Sequence, residues 1–582
     1  MQMRKGFTMK DLNLMVAGPQ GSGINFTSDT FSKVMARLGY YVFSNAELFS
    51  TIKGEHSYFR VRVSDELIRS YSKRVDILIA LDSKSIILHK DEVDNNGFII
   101  TEEKPLDSRF IQVEYNKILQ NVANKYNKNL SELSVMKNTV ALAVVGKIAS
   151  IPKDAIQKVI SENFAKRPNI AELNNAVVDE TYSITKIERS ITLPKGKSFG
   201  KMLINTAEAV AIGKIAAGLR FQSYYPITPA SDESQYLEGV MSKYNVIVEQ
   251  TEDEIAAINM AIAAANTGLR AATSTSGPGF SLMVEALSYA GMTETPVVIF
   301  YYQRAGPSTG MPTRHEQGDL KFAISAGHGE FPRIVIAPGD HEEAFYDSFE
   351  SFNLAEKYQL PVIVMLDKSM AMSNYTIPKF DTSKLKIDRG KLILEGEVSN
   401  YKRYAFTEDG ISPRTVPGVK NGMFTIAGDE HEEDGHIFSE DPDNRIRMMD
   451  KRMGKLKKVL SEIPTDMKYK FYGNGENLII SWGSPKGAIL DAIRERPEYS
   501  YLQIRLLHPF PVDEVKPFAK YKKIVTVEQN YSGQLADILK EDAGIDVNSR
   551  IVKFNGRPIA FEELIEGLDR SKTERRVVLT YA

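Results

Sequence analysis

Short runs rich in β-branched and aromatic residues recur along this chain. Many are closed by a turn and followed by a helical stretch, and such alternation points to sheets covered by helices. Residues 12–17 form one run, followed by a glycine-rich turn. Phe26, Phe31, Val34, Met35 and Leu38 then recur at helical spacing. Further strands are expected at 56–63, 76–81, 97–101 and 110–114, and a helical tail at 138–165. A helix at 201–219 opens a second set, with strands at 271–274, 297–302, 333–337 and 362–366. The pattern resumes with a strand and turn at 478–484, helix 487–495, strand 502–506, helix 512–518, strand 523–527 and helix 533–541. A chain of 582 residues is too long for one core, which rarely grows past roughly 250–300 residues. The expected organisation is therefore three α/β domains, at 1–183, 201–372 and 471–582. A polar linker is expected over 184–200 and an irregular connecting segment over 373–470.

Composition removes several classes of function. Lys plus Arg total 73 against 75 Asp plus Glu, a balance that gives no electrostatic reason to expect nucleic acid or an anionic membrane as partner. No apolar stretch approaches the length of a membrane span, and the first residues show no signal-peptide core, so a cytoplasmic protein is expected. The chain has no cysteine. Disulfides, a thiol nucleophile, a zinc–thiolate site and a cysteine-held iron–sulfur cluster are thereby excluded from it. Any redox electrons must leave through another subunit. His431 and His436 lie in an acidic stretch, but they are five residues apart, with Gly435 between them. That spacing does not line one helix face, so a solvated acidic turn is expected and no metal site.

The chemistry concentrates between Arg220 and Leu320. Tyr225-Pro226-Ile227-Thr228-Pro229, Thr251-Glu252-Asp253-Glu254, Thr275-Ser276-Gly277-Pro278-Gly279 and Gln303-Arg304 through Gly310 each follow a short β-branched or aromatic run. In an open α/β sheet those are strand ends, where ligands bind. The window offers hydroxyls, a carboxylate, glycines that allow close backbone approach and one guanidinium, as suits an organic anion. Several of these residues also read structurally. Thr251-x-x-Glu254 is a helix capping box, and Ser276 to Gly279 equally makes a turn. Gly18, Gly21, Ser22 and Gly23 form a loop that serves either packing or a phosphate-bearing ligand at a helix N-terminus. Glu528-Gln529-Asn530 reads as a ligand contact or as a loop cap.

Taken together, these motifs resemble the α subunit of 2-oxoacid:ferredoxin oxidoreductases. The likeness extends to Trp482-Gly483-Ser484, His508-Pro509-Phe510-Pro511 and Glu528-Gln529-Asn530 in the last domain, while the first 180 or so residues resemble the family's γ domain fused ahead of α. The resemblance implies a γ-like domain, a thiamine diphosphate pyrimidine-binding domain and a transketolase C-terminal-like domain. It also implies coenzyme A-dependent conversion of a 2-oxo acid, such as pyruvate or 2-oxoglutarate, into an acyl-CoA and carbon dioxide, with electrons passed to ferredoxin. A β subunit would bring the diphosphate motif, Mg2+ and a [4Fe-4S] cluster, and the heterodimer alone would be active. This chain agrees by omission, having neither that diphosphate motif nor a cysteine.

On the same resemblance Glu254 is the carboxylate at the cofactor's pyrimidine, with Glu252 as the neighbouring register. Arg304 grips the substrate carboxylate, for which a bidentate guanidinium is suited. Thr228 and Thr309 donate to the substrate's carboxylate or keto oxygen. Tyr225, Pro226, Ile227, Ser276 and Gly277 shape the cofactor's surroundings, and the loop of Gly18, Gly21, Ser22 and Gly23 takes coenzyme A or docks a partner. Two other readings stay open: a thiamine enzyme of the acetolactate synthase or transketolase kind, and a non-catalytic assembly subunit of the same fold.

Overall fold

Strand formation here follows burial on both faces. His56–Ser64 and Val75–Ala80 are buried along their whole lengths, as expected of strands sandwiched between helices. A computed structural model describes residues 5–48, 56–437 and 439–581. It divides into two compact units, the first of residues 1–204 with 372–379 and 560–562, the second of 205–371, 380–559 and 563–582.

The first unit is built on an eight-stranded sheet in the order Phe110–Gln112, Val93–Thr101, Val75–Ala80, Asp11–Pro19, His56–Ser64, Tyr41–Glu47, Ser373–Ile377 and Met202–Asn205. Leu14, Val16, Ile77 and Ile79 are fully buried and join a core with Phe31 and Val34 of helix Ile24–Arg37 and Val140 and Val144 of helix Lys137–Ile148. Two expectations change. The expected linker contains strand Arg189–Thr192, which pairs in parallel with Lys5–Thr8. The expected helical tail is two helices, Lys137–Ile148 and Lys153–Asn163, because Ser150 takes a left-handed conformation (φ 55°) and Pro152 follows.

The second unit holds two sheets. A seven-stranded sheet runs Ile247–Gln250, Phe221–Tyr224, Ala271–Thr275, Val298–Gln303, Val362–Asp367, Ile334–Ile336 and Leu506–His508, parallel except for the last strand. A six-stranded sheet runs Tyr469–Tyr472, Tyr499–Ile504, Asn477–Ser481, Lys523–Glu528, Ser549–Val552 and Arg576–Val578. Tyr499–Ile504 and Leu506–His508 are separated only by Arg505, so one extended segment serves both sheets. The helix expected at 201–219 begins instead at Thr206, where Asn205 caps it by accepting from the Glu208 amide at 2.8 Å.

The segment 373–470 is not irregular throughout. It contributes strand Ser373–Ile377 and a 21-residue helix, Pro442–Glu462. That helix buries Lys451 and Lys455, both of which pair with the fully buried Glu294. The acidic turn is not fully solvated either: His431 is buried against the Tyr404 ring, at 3.9 Å between centroids. Among the described residues no helix is long and apolar enough to cross a membrane.

Candidate active site

Four neighbouring strands of the seven-stranded sheet run parallel, so their C-terminal ends share one edge. Ile247–Gln250 ends at Thr251, Phe221–Tyr224 at Tyr225, Ala271–Thr275 at Ser276 and Val298–Gln303 at Arg304. The four motifs of the sequence thereby converge in space, in the crevice where such sheets take ligands.

Glu254 is the first residue of helix Glu254–Asn266, and the cap of that helix is Asp253, whose carboxylate accepts from the Ala256 amide at 2.7 Å. Thr251 takes no part in capping; its hydroxyl donates to the carbonyls of Tyr224 (3.2 Å) and Asp253 (2.8 Å). The capping-box reading is therefore replaced by a cap two residues on, which leaves the Glu254 side chain outside the cap. Glu252 is exposed, whereas Glu254 retains 5% of its exposure. Burial pushes the Glu254 carboxyl above its ordinary value; its own amide and Arg304 oppose that shift, and Asp253 reinforces it.

Arg304 is 8% exposed. One guanidinium nitrogen, Nη1, donates to the Thr228 carbonyl at 2.9 Å, and Nε is buried without a hydrogen-bond partner. Burial lowers the Arg304 pKa and Glu254 pulls it back up, so the two side chains sense each other. The Ser276 hydroxyl is likewise buried and unpartnered, ahead of the short helix Gly277–Leu282.

Gly279 lies directly against Glu254. A Cβ at this position would stand 2.7 Å from Glu254 Cγ and closer still to Glu254 Oε1 and Thr275 Oγ1, so only glycine fits without displacement. Gly277 faces a second carboxylate: a Cβ there would approach Asp319 Oδ2 to 3.1 Å. Asp319, which the sequence motifs did not single out, is tied to the arginine-bearing strand by its amide, which donates to Gln303 Oε1 at 3.2 Å. Burial raises the Asp319 carboxyl, with the Tyr301 hydroxyl opposing, and burial and Asp319 hold Glu316 at about 7.

The remaining predicted residues lie differently. Tyr225 and Pro226 are exposed, Thr228 is half-buried, and Ile227 packs against the hydrophobic core. Thr309 is exposed at the tip of a loop closed by a bridge between Ala305 and Met311, and no hydrogen bond joins it to Arg304. Glu528 and Asn530 act as caps. The Glu528 carboxylate accepts from the amides of Leu535 (2.8 Å) and Ala536 (3.2 Å), and Asn530 Oδ1 accepts from Gly533 (2.7 Å). Gln529 binds Ser484 Oγ at 3.0 Å and its carbonyl accepts from the Gln317 amide at 2.6 Å. In the first unit, the loop of Gly18 to Gly23 joins strand Asp11–Pro19 to helix Ile24–Arg37. Ser22 turns its hydroxyl back to the Pro19 carbonyl at 2.6 Å, and the helix N-terminus carries no side-chain cap.

This arrangement defines an α/β protein with a crevice at its strand ends, and two family models match the chain. Residues 212–451 match pyruvate flavodoxin/ferredoxin oxidoreductase, thiamine diphosphate-binding, and residues 13–184 match pyruvate ferredoxin/flavodoxin oxidoreductase. The chain is 42% identical to the alpha subunit of 2-oxoacid:ferredoxin oxidoreductase 1 of Sulfurisphaera tokodaii, over 98% of this chain and 99% of that one. It is 28% identical to 2-oxoglutarate oxidoreductase subunit KorA of Mycobacterium tuberculosis, over 96% and 91%. Among solved structures it resembles 2-oxoglutarate:ferredoxin oxidoreductase from Magnetococcus marinus with 2-oxoglutarate, coenzyme A and succinyl-CoA bound, with a TM-score of 0.87 and 30% identity over 97% of this chain and all of that one. The chain belongs to the 2-oxoacid:ferredoxin oxidoreductase family, among its alpha subunits. The reading as an acetolactate synthase or transketolase is thereby set aside.

Proposed function

We propose that this chain, with a β partner, converts a 2-oxo acid and coenzyme A into acyl-CoA and carbon dioxide while ferredoxin is reduced, and that it carries the pyrimidine-binding half of the active site. The observation that supports this best is the meeting of Glu254, Gly279 and Arg304 at one sheet edge. The residues fit thiamine diphosphate: a buried carboxylate left outside the helix cap, a glycine cradle, and an unpartnered hydroxyl at Ser276. When bound, thiamine diphosphate supplies the nucleophilic carbon for the substrate's carbonyl.

Glu254 holds or releases a proton at the pyrimidine ring nitrogen, and burial raises its carboxyl above the ordinary value, which favours the proton-holding form. Arg304 receives the substrate carboxylate. Its bond to Thr228 fixes the guanidinium plane, and its free Nε remains available. Ser276 donates or accepts at the pyrimidine edge, with Gly277, Tyr225, Pro226 and Ile227 shaping that side. Thr228 offers its hydroxyl to the substrate, and Thr309 does so from the exposed loop. Because the chain has no cysteine, the iron–sulfur cluster, like the diphosphate motif and Mg2+, is assigned to the partner. The loop of Gly18 to Gly23 is assigned to coenzyme A or to docking, on its uncapped helix N-terminus.

The test is anaerobic co-expression with a β subunit of the family and assay of acceptor reduction with 2-oxoglutarate, pyruvate and branched-chain 2-oxo acids. Turnover should require both a 2-oxo acid and coenzyme A. Glu254→Gln should lower kcat about 10²–10⁴-fold in a complex that still assembles. A colourless chain that is active alone would overturn the ferredoxin-linked reading, and undiminished turnover in Glu254→Gln would overturn the site.

A further inference from the structure

Behind the strand ends lies a polar cluster to which the reaction above gives no task. Lys214, on helix Thr206–Ala216, and Glu233, on helix Ser231–Tyr244, form an ion pair at 2.5 Å, and neither side chain retains any exposure. Lys214 Nζ also donates to Gln222 Oε1 and Ser274 Oγ, each at 3.0 Å, and stands 3.6 Å from the centre of the Phe300 ring. Glu233 accepts from Gln222 Nε2 (3.1 Å), Ser274 Oγ (2.6 Å) and the Tyr302 hydroxyl (3.4 Å).

Such a pair is a poor way to stabilise a core. Desolvation costs several kcal/mol per ion, and apolar replacements of similar volume are often neutral or better. Its value must come from what it joins. Gln222, Ser274 and Tyr302 sit on three adjacent parallel strands, close before the strand ends that lead into Tyr225, Ser276 and Arg304. The cluster therefore sits within two residues of the C-terminal ends of all three strands, directly behind the loops that carry the site. Glu233 adds the helix that follows the Thr228 loop.

We propose that Lys214 and Glu233 are positioning residues that lock these three strand ends into register and so set the Arg304 guanidinium for the substrate carboxylate; this rests on the reading of Arg304 as the carboxylate-binding residue. The pair acts through Ser274 and Tyr302 and does not touch substrate.

The experiment uses the assembled complex with Lys214→Met, Glu233→Gln, the double variant, Ser274→Ala and Arg304→Ala, measuring the KM for the 2-oxo acid, kcat and the melting temperature. Each single variant of the pair should raise KM about tenfold or more while kcat stays within about threefold. The double variant, with no unpaired buried charge, should recover the melting temperature but keep the raised KM. Ser274→Ala should raise KM without a charge defect, which keeps the test decisive if a single variant of the pair does not assemble. Recovery of KM along with stability in the double variant, or lowered melting temperatures with unchanged KM, would overturn the proposal. An unchanged KM in Arg304→Ala would instead overturn the reading on which it rests.

Discussion

Gly279 shows how little free space surrounds the candidate catalytic carboxylate. A methyl group there overlaps both Glu254 and Thr275, and overpacking of this kind costs about 1–3 kcal/mol. Gly279→Ala should therefore weaken thiamine diphosphate binding by roughly tenfold or more, read by calorimetric titration of the assembled complex; unchanged affinity would mean the cofactor does not depend on this turn. At this scale the sequence was informative where chemistry and position coincide. Arg304 directly after a buried apolar run had to lie at a strand end, and it does. The helix cap was less legible, because Thr251 and Asp253 are both good capping residues two positions apart. Only the fold shows that the threonine is used by the Tyr224 carbonyl. Asp319 left no signal, because its role comes from packing against a distant glycine.

Helix Glu254–Asn266 depends on its cap. Asp253→Ala removes the acceptor for the Ala256 amide and should cost about 1 kcal/mol of stability, visible as a lower melting temperature and looser control of Glu254. Strand Leu506–His508 supplies a second expectation. Burial, aided by Arg333, pushes His508 down to about 4 from an ordinary 6.5. The folded form then binds fewer protons than the unfolded one between those values, so stability should fall as pH drops from 6.5 toward 4. His508→Gln should lose less melting temperature than the parent between pH 7 and 5; equal losses would rule His508 out as a source of acid sensitivity. Strands with strong apolar character were readable in advance, such as Val298–Gln303. Phe221–Tyr224 was not, since its Gln222 and Ser223 point into polar and backbone bonds. Helix Pro442–Glu462 was also missed, because Lys451, Arg452 and Lys455 occupy its buried side and interrupt the apolar period that marks a helix.

Across the molecule, charge as well as apolar packing joins the two sheets of the second unit. Lys486, at the start of helix Lys486–Glu495, pairs with Asp340 and Glu343 of the central region, and Arg505 pairs with Asp347 at 2.5 Å. Burial alone would raise the Glu343 carboxyl, but Lys486, Arg505 and Lys470 outweigh it and hold the group well below its usual range. Glu343→Gln leaves Lys486 short of one buried partner and should cost about 3–5 kcal/mol, seen as a lowered melting temperature for both sheets together; a separate transition for residues 471–582 would show that the sheets are not coupled.

The alternation of strands and helices announced the α/β class, yet the chain's route between units was invisible to it. Ser373–Ile377 has ordinary strand composition, and nothing local says that it belongs beside Tyr41–Glu47. That pairing puts a clock on biosynthesis. At about 5–20 residues per second, a ribosome that has finished residue 204 needs roughly 10–35 seconds more to deliver residue 377. Until then the edge of Tyr41–Glu47 awaits its neighbour. Nascent chains arrested before residue 373 should be cut within the first unit by a protease that spares chains arrested well beyond 379, and equal resistance would show that the inserted strand is dispensable for that sheet.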